Sequence, residues 1–404
     1  MHMLHHGNAS AANPSVYILA ARRTPVGSFL GSLSSVSAPK LASCAIEACL
    51  QDAQIGPQEI EQAYFGCVLT AGIGQAPARQ AALFAGLSRS TPCTTVNKVC
   101  GSGMKAVMLA AQSIETGESD LVIAGGMENM SQAPFYLDGV RTGYRMGHSQ
   151  LIDGLIKDGL WDVYNQYHMG SAAELCAKEL RFSRQTQDEY AIESFMRSQK
   201  AIAEGKFKQE ITPVKIPQKK GDPKIVDTDE GPSKAQFDKI PTLSPVFEKN
   251  GTVTAANAST INDGAAVLLL ASEDYIQRTG KKPLAKIVAH AQHAQAPEWF
   301  TTAPVEATKK VLQKSNWDLN TVDFFEVNEA FAVVALAAIQ QLKLPIEKTN
   351  VHGGAISLGH PIGASGARIL VTLLWALKQY EKKRGLATLC IGGGEATAMT
   401  IERV

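Results

Sequence analysis

The chain carries one arrangement of elements twice. It reads TVNKVCGSGMKA, a helical stretch and DLVIAGGME from Thr95 onward, and NVHGGAISLGHPIGASGARI, a second helical stretch and ATLCIGGGEA from Asn350 onward. Each copy runs strand, glycine-rich turn, helix, apolar strand and paired or tripled glycine, and self-similarity of this kind implies two related half-folds. If the halves pack about a pseudo-twofold axis, their turns meet near it, and Cys100, His360 and Cys390 converge although far apart in sequence. The competing explanation is chance, since helix-opening glycines recur in many α/β chains.

Around the repeats, short apolar runs alternate with amphipathic helices, the texture of parallel or mixed β structure covered by helices. Strands are expected near Val16 to Ala20, Ala63 to Thr70, Leu121 to Ala124, Gly251 to Ala256, Ala265 to Ala271 and Leu386 to Ile391. Helices are expected from Ala38 to Gln51, Arg79 to Ala85, Met104 to Ile114, Ser171 to Leu180 and Arg184 to Glu204, with others ending at Leu342 and beginning near Ala367. Residues 132–248 break this rhythm: Phe135 to Gln150 is polar and glycine-rich, and Pro213 to Pro245 has no sustained apolar period. An irregular stretch this long inside a compact fold reads as a functional excursion. The expected organisation is one half from 14–131 plus 249–283, a loop domain from 132–248, and a second half from 284–404.

The charge balance, 39 basic against 38 acidic side chains, supplies no global attraction to nucleic acid or anionic membrane. Seven cysteines without a Cys-x-x-Cys pair suggest neither a disulfide framework nor a zinc ribbon, and a reducing, cytoplasmic setting is expected. The start, with His2, His5 and His6, reads as a tag remnant or frayed end rather than a metal site or targeting signal. The glycines follow neither the dinucleotide fingerprint nor the phosphate loop, which makes nucleotide-dependent chemistry a poor reading.

Cys100 stands where an extended segment gives way to a helix. There the helix dipole and free N–H groups are expected to lower a thiol pKa, although most cysteines are small buried hydrophobes. His360, framed by glycines and Pro361, is a base or a structural histidine. Asn328, in VNEAFA, is a helix N-cap or an oxyanion ligand. Cys390 faces Gly392 to Gly394, so a second cysteine at a comparable turn means a disulfide or a division of labour between nucleophile and proton carrier. The glycines after it could present N–H groups to an oxyanion.

Together these residues resemble the thiolase family. NKVCGSGMKA, VNEAFA, GHPIGASGAR and CIGGG correspond to its active-site blocks in order, and the likeness runs from ARRTPVGSF at Ala21 to the C-terminus. HMG at His168 to Gly170 and GTVTAANAS at Gly251 to Ser259 resemble the short-chain, acetyl-CoA acetyltransferase branch.

The resemblance implies a five-layered α/β/α/β/α thiolase fold with an inserted loop domain. It implies condensation of two acetyl-CoA to acetoacetyl-CoA and CoA, or the reverse. Cys100 is then nucleophile, His360 its base, Cys390 the α-proton base, Asn328 the holder of a water, and the N–H groups of Cys100 and Gly392 the oxyanion donors. CoA is expected beside His168, Met169, Ser259, Ala330 and Phe331, with Trp299 and Phe300 at the acyl end. Lys234 and Lys239 either attract its phosphates or are solvated charges. CoA thioesters are substrates, so no cofactor and no metal are implied. Phe195 replaces the tyrosine of potassium-dependent relatives, which argues against a potassium site. The 136–150 segment resembles a tetramerisation loop and implies a homotetramer. A longer-chain 3-ketoacyl-CoA thiolase and a noncatalytic acyl-CoA-binding relative are the alternatives.

Overall fold

The computed structural model describes residues 14–404; the histidine-bearing start lies outside the described residues. The first half contains β1 (Val16–Arg23), α1 (Ala38–Ala53), β2 (Gln62–Gly66), α2 (Pro77–Phe84), β3 (Cys93–Val96), α3 (Ser102–Glu115) and β4 (Leu121–Asn129). The excursion contributes α4 (Met169–Glu179) and α5 (Arg184–Ala203), after which β5 (Asn262–Ser272) completes that half. The second half runs β6 (Ala285–Ala294), α6 (Ala303–Ser315), β7 (Phe324–Val327), α7 (Ala332–Leu342), α8 (Ile362–Gln379), β8 (Arg384–Ile391) and β9 (Glu395–Arg403).

The strands join in the order β7-β8-β9-β6-β1-β5-β4-β2-β3, with Gly27–Ser28 a short tenth strand on β5. The halves meet where β1 and β6 pair antiparallel through Val16 with Ile287 and Ile18 with Ala285. Helices α3 and α8 lie between the two half-sheets, α1 and α2 cover one outer face, and α6 and α7 the other. This is the five-layered arrangement, with the half-sheets continuous along one seam.

Alternation within β5 feeds two separate apolar cores. Val267 and Leu269 point outward to α1, while Leu268 and Leu270 point inward to the central helices. A strand buried on both faces cannot alternate apolar with polar, which is why this stretch reads as a near-continuous apolar run. Each such leucine contributes on the order of 2 kcal/mol by leaving water. Helix α8 is enclosed in the same way, with every residue from Ile362 to Leu377 buried, and it starts directly after Pro361 rather than near Ala367.

The repeat is visible in backbone detail. The paired residues Lys98 and Cys100 before α3 have a counterpart in Val351 and Gly353, and Thr349 bridges to Phe325 as a remnant of the β3–β2 pairing. Gly353 therefore occupies the place of Cys100. The second copy inserts the short turn Ala355–Leu358, which carries His360 to the mouth of α8.

One expected strand is absent. Gly251 to Ala256 is a loop, because its donors bind side chains instead of a neighbouring strand: Glu174 accepts from the N–H groups of Thr252 and Val253 at 2.8 and 2.7 Å, and Asn257 Oδ1 from that of Thr254 at 2.8 Å. The excursion is tied to β1 by fully buried Arg23, whose guanidinium meets Glu210 at 2.5 Å and Asp229 at 2.7 Å. Among the described residues no helix is long and apolar enough to cross a membrane, and the seven cysteines are free thiols.

Candidate active site

The turn before α3 is under strain. Val99 is β-branched yet adopts φ +45°, a conformation costing of order 1–3 kcal/mol unless its surroundings impose it. They do so through hydrogen bonds. Asn97 Oδ1 accepts from Val99 N–H at 3.0 Å, while Ser102 Oγ accepts from Lys98 N–H at 2.8 Å and donates to the Val99 carbonyl at 2.6 Å. Gly101 and Gly103 allow the second half to close in. A Cβ on the first would fall 2.3 Å from the Ile391 side chain, and one on the second 2.9 Å from the backbone of α8.

The backbone N–H of Gly392 points at the Cys100 thiol, so the repeats do meet here. The expectation of a lowered thiol pKa is corrected. Burial pushes Cys100 up to about 11, and the backbone donors only partly offset it, because apolar walls disfavour an unpaired thiolate more than two N–H groups favour it. Cys390, at the end of β8, is fully buried behind it, its thiol held well above the ordinary range by burial and by the nearness of Cys100.

His360 is held at both ends. Its N–H donates to Asn262 Oδ1 at 2.9 Å, and Nδ1 lies 2.6 Å from Ser365 Oγ. The single hydroxyl proton of Ser365 is directed at the Pro361 carbonyl, 2.9 Å away, so Oγ accepts from Nδ1–H and the lone pair of the neutral ring falls on Nε2. Nε2 is buried and has no protein partner, and burial followed by the nearby Arg368 charge lowers the imidazole to about 3. The ring is therefore a neutral, single-tautomer base. Ser365→Ala is expected to lower kcat about tenfold with little change in KM, as a tautomer-misplaced fraction accumulates, and Ser365→Thr to restore most of it. Steady-state kinetics across pH check this; an unchanged Ser365→Ala profile would oppose the assignment.

Asn328 is not a helix cap. It directly follows β7, where its N–H donates to the Thr388 carbonyl at 3.0 Å, and α7 begins only at Ala332 after Phe331. Both polar atoms of its amide are buried without protein partners, a state costing roughly 1–3 kcal/mol per group. Neighbouring Glu329 is saturated instead, accepting from Tyr190, Ser194, Asn350 and the Ile356 N–H, and so fixes the loop that presents Asn328.

Cys100, His360, Gly392, His168, Met169, Lys234, Ser259, Phe300, Ala330 and Phe331 face one cleft of about 560 Å³ with mainly apolar walls. Asn328 and Cys390 are buried outside its wall, and Trp299 does not line it. Lys239 lines an adjoining recess of about 360 Å³, shared with Lys234 and Phe195. His168 has a structural task as well, its Nδ1 accepting from Gly170 N–H at the start of α4.

Sequence reasoning missed three contributors. Phe247 stacks on His168 with ring centroids 4.8 Å apart, but sits in a stretch with no apolar period to mark it. Ser365 was legible only as part of a turn. Glu128 ends the first repeat's motif; its buried carboxyl, pushed up to about 7 by burial, accepts from the N–H groups of Val68, Leu69 and Gly363 and so pins α8 to the first half.

Comparison with known proteins adds the following. Residues 16–274 match the family model "Thiolase, N-terminal domain", and residues 281–403 match "Thiolase, C-terminal domain". The chain is 52% identical over 399 residues to Acetyl-CoA acetyltransferase 2 of Arabidopsis thaliana, covering 98% of this chain and 99% of that protein. It is 51% identical over 389 residues to Acetyl-CoA acetyltransferase of Cupriavidus necator, covering 96% and 99%. The crystal structure of Acat5 thiolase from Ascaris suum in complex with coenzyme A superposes with a TM-score of 0.92 at 42% identity, covering 96% of this chain and 100% of that one.

Proposed function

We propose, from the premise that this chain belongs to the thiolase family, that it is an acetyl-CoA C-acetyltransferase working through an acetyl-cysteine on Cys100. The observation that carries the residue assignments is that His360, with its Nε2 lone pair free, and Cys100, with the Gly392 backbone close enough to favour its thiolate, line one cleft.

In the resting site both groups are neutral. Proton transfer from Cys100 to His360 Nε2 accompanies attack of sulfur on the thioester carbonyl, so charge appears as the new C–S bond forms. The N–H groups of Cys100 and Gly392 take the developing oxyanion, CoA leaves as its thiolate, and the imidazolium returns the proton to it. A second acetyl-CoA then binds. Cys390 passes its proton to His360 Nε2 and, as thiolate, removes an α-proton; the resulting carbanion attacks the acetyl carbon, acetoacetyl-CoA forms, and the expelled Cys100 thiolate recovers its proton from the imidazolium. His360 and the unpaired Asn328 amide stabilise the enolate oxygen, the latter through a water it holds. The balance is two acetyl-CoA to one acetoacetyl-CoA and one CoA.

CoA occupies the cleft between the excursion and the two halves. His168, Met169, Phe247, Ser259, Ala330 and Phe331 line its pantetheine arm, and Lys234 and Lys239 lie toward its phosphates. Phe300 and Phe331, with ring centroids 6.3 Å apart, close the acyl end and favour short chains over the longer 3-ketoacyl substrates. Exposed Phe135, Val140, Tyr144, Met146 and Leu151 support self-association, for which a homotetramer is our reading, and cytoplasm is our reading of the compartment. Thiolysis rates across 3-ketoacyl-CoA chain lengths test the substrate assignment: acetoacetyl-CoA is expected to give the highest kcat/KM, and a preference for six or more carbons would oppose it.

A further inference from the structure

The two turns that meet at Cys100 are joined by an ion pair that the reaction chemistry does not use. Lys98, two residues before the nucleophile, places Nζ against the carboxylate of Glu395, the residue that follows Gly392 to Gly394 and opens β9. The two side chains are 19% and 36% exposed, so the contact lies at the edge of the buried seam. Lys105, on the first turns of α3, is the other cation whose charge interacts with Glu395.

Its position matters more than its strength. On one side of the pair is the strained Val99, and on the other Gly393 and Gly394, both at positive φ, +87° and +85°. These two turns bring Cys100 and Gly392 to one cleft, and oxyanion stabilisation by their N–H groups depends on how the turns are set against each other. Lys98 belongs to the first half and Glu395 to the second, so the pair resists any sliding of one turn past the other. The hydrogen bonds of Asn97 and Ser102 shape the first turn internally but do not cross to the second half.

We propose that the Lys98–Glu395 pair is a positioning clamp that sets the register between the nucleophile turn and the Gly392 turn. Neither side chain touches the reacting atoms; the clamp acts through the Cys100 backbone and the Gly392 N–H. The inference rests on the reading of Cys100 as the acylated residue.

The test is a double-mutant cycle of Lys98→Met, Glu395→Gln and the pair together. Three quantities are read in the full-length enzyme: the rate of acetyl transfer from acetyl-CoA to Cys100, the rate of Cys100 alkylation by iodoacetamide, and Tm. Each single variant is expected to slow acetyl transfer about tenfold with KM for acetyl-CoA nearly unchanged, and the double variant to be no slower than the worse single one. Alkylation is expected to shift by less, since it needs no oxyanion donor. Multiplicative single effects, or acetyl transfer within twofold of wild type in both single variants, would overturn the clamp; so would a lowered Tm with acetyl transfer per folded enzyme unchanged. Absence of acetylation in the wild-type enzyme would instead overturn the assignment of Cys100, a result the cycle reports separately.

Discussion

Replacing Cys390 with alanine is expected to separate the two halves of the reaction. Acetyl transfer from acetyl-CoA to Cys100 should persist, with about one equivalent of CoA released per chain, while acetoacetyl-CoA formation and thiolysis fall by about 10²- to 10⁴-fold, the range for loss of a positioned acid–base group. The reason is geometric. Cys390 is buried at the end of β8, near enough to Cys100 for the two thiols to influence each other, and in the proposed mechanism it takes the α-proton of the second substrate and has no part in the first acylation. A burst of CoA followed by stalled turnover checks the prediction; a variant that neither acylates nor condenses would place Cys390 in the first step.

His360→Ala is expected to act differently, lowering acylation and condensation alike by about 10²- to 10⁴-fold. Among the described residues its Nε2 is the free imidazole lone pair that lines the cleft with Cys100, and the hydrogen bond to Ser365 holds the ring in this orientation. Because the folded ring titrates near 3, against an ordinary value near 6.5, it stays neutral from acidic to neutral pH. The sign follows from linkage. A neutral buried imidazole contributes stability above the ordinary value relative to an unfolded chain that must be charged below it, and that contribution fades as pH falls from about 6.5 toward 3. Wild-type stability should therefore decline across that window more steeply than that of His360→Ala, as denaturant unfolding at several pH values would reveal. Equal slopes would contradict a buried neutral ring.

Much of this was legible in the residues. The repeat announced two half-folds because strand, glycine turn and helix recur with their spacing, and the matched turns at Lys98 to Cys100 and Val351 to Gly353 are its physical counterpart. Cys100, His360 and Gly392 were read from glycine-framed turns, whereas His168, Met169, Lys234, Ser259, Phe300, Ala330 and Phe331 came from the resemblance to the thiolase family. Features set by packing were not legible. The raised Cys100 thiol depends on apolar walls from distant segments, the Gly251 loop on Glu174, and the freedom of the Asn328 amide on a helix that begins three residues later than its composition suggests. Lys239, whose place beside CoA came from the resemblance, lines the recess that adjoins the cleft, and Lys234 lines both.

The central claim is that Cys100 carries the acetyl group. Incubation with acetyl-CoA, rapid acid quench and mass mapping of peptides test it most directly. One acetyl group per chain on Cys100 in the wild type, none in Cys100→Ala and retention in Cys390→Ala is the predicted pattern. Acetylation that survives Cys100→Ala, or that maps to Cys390 in the wild type, would contradict the account.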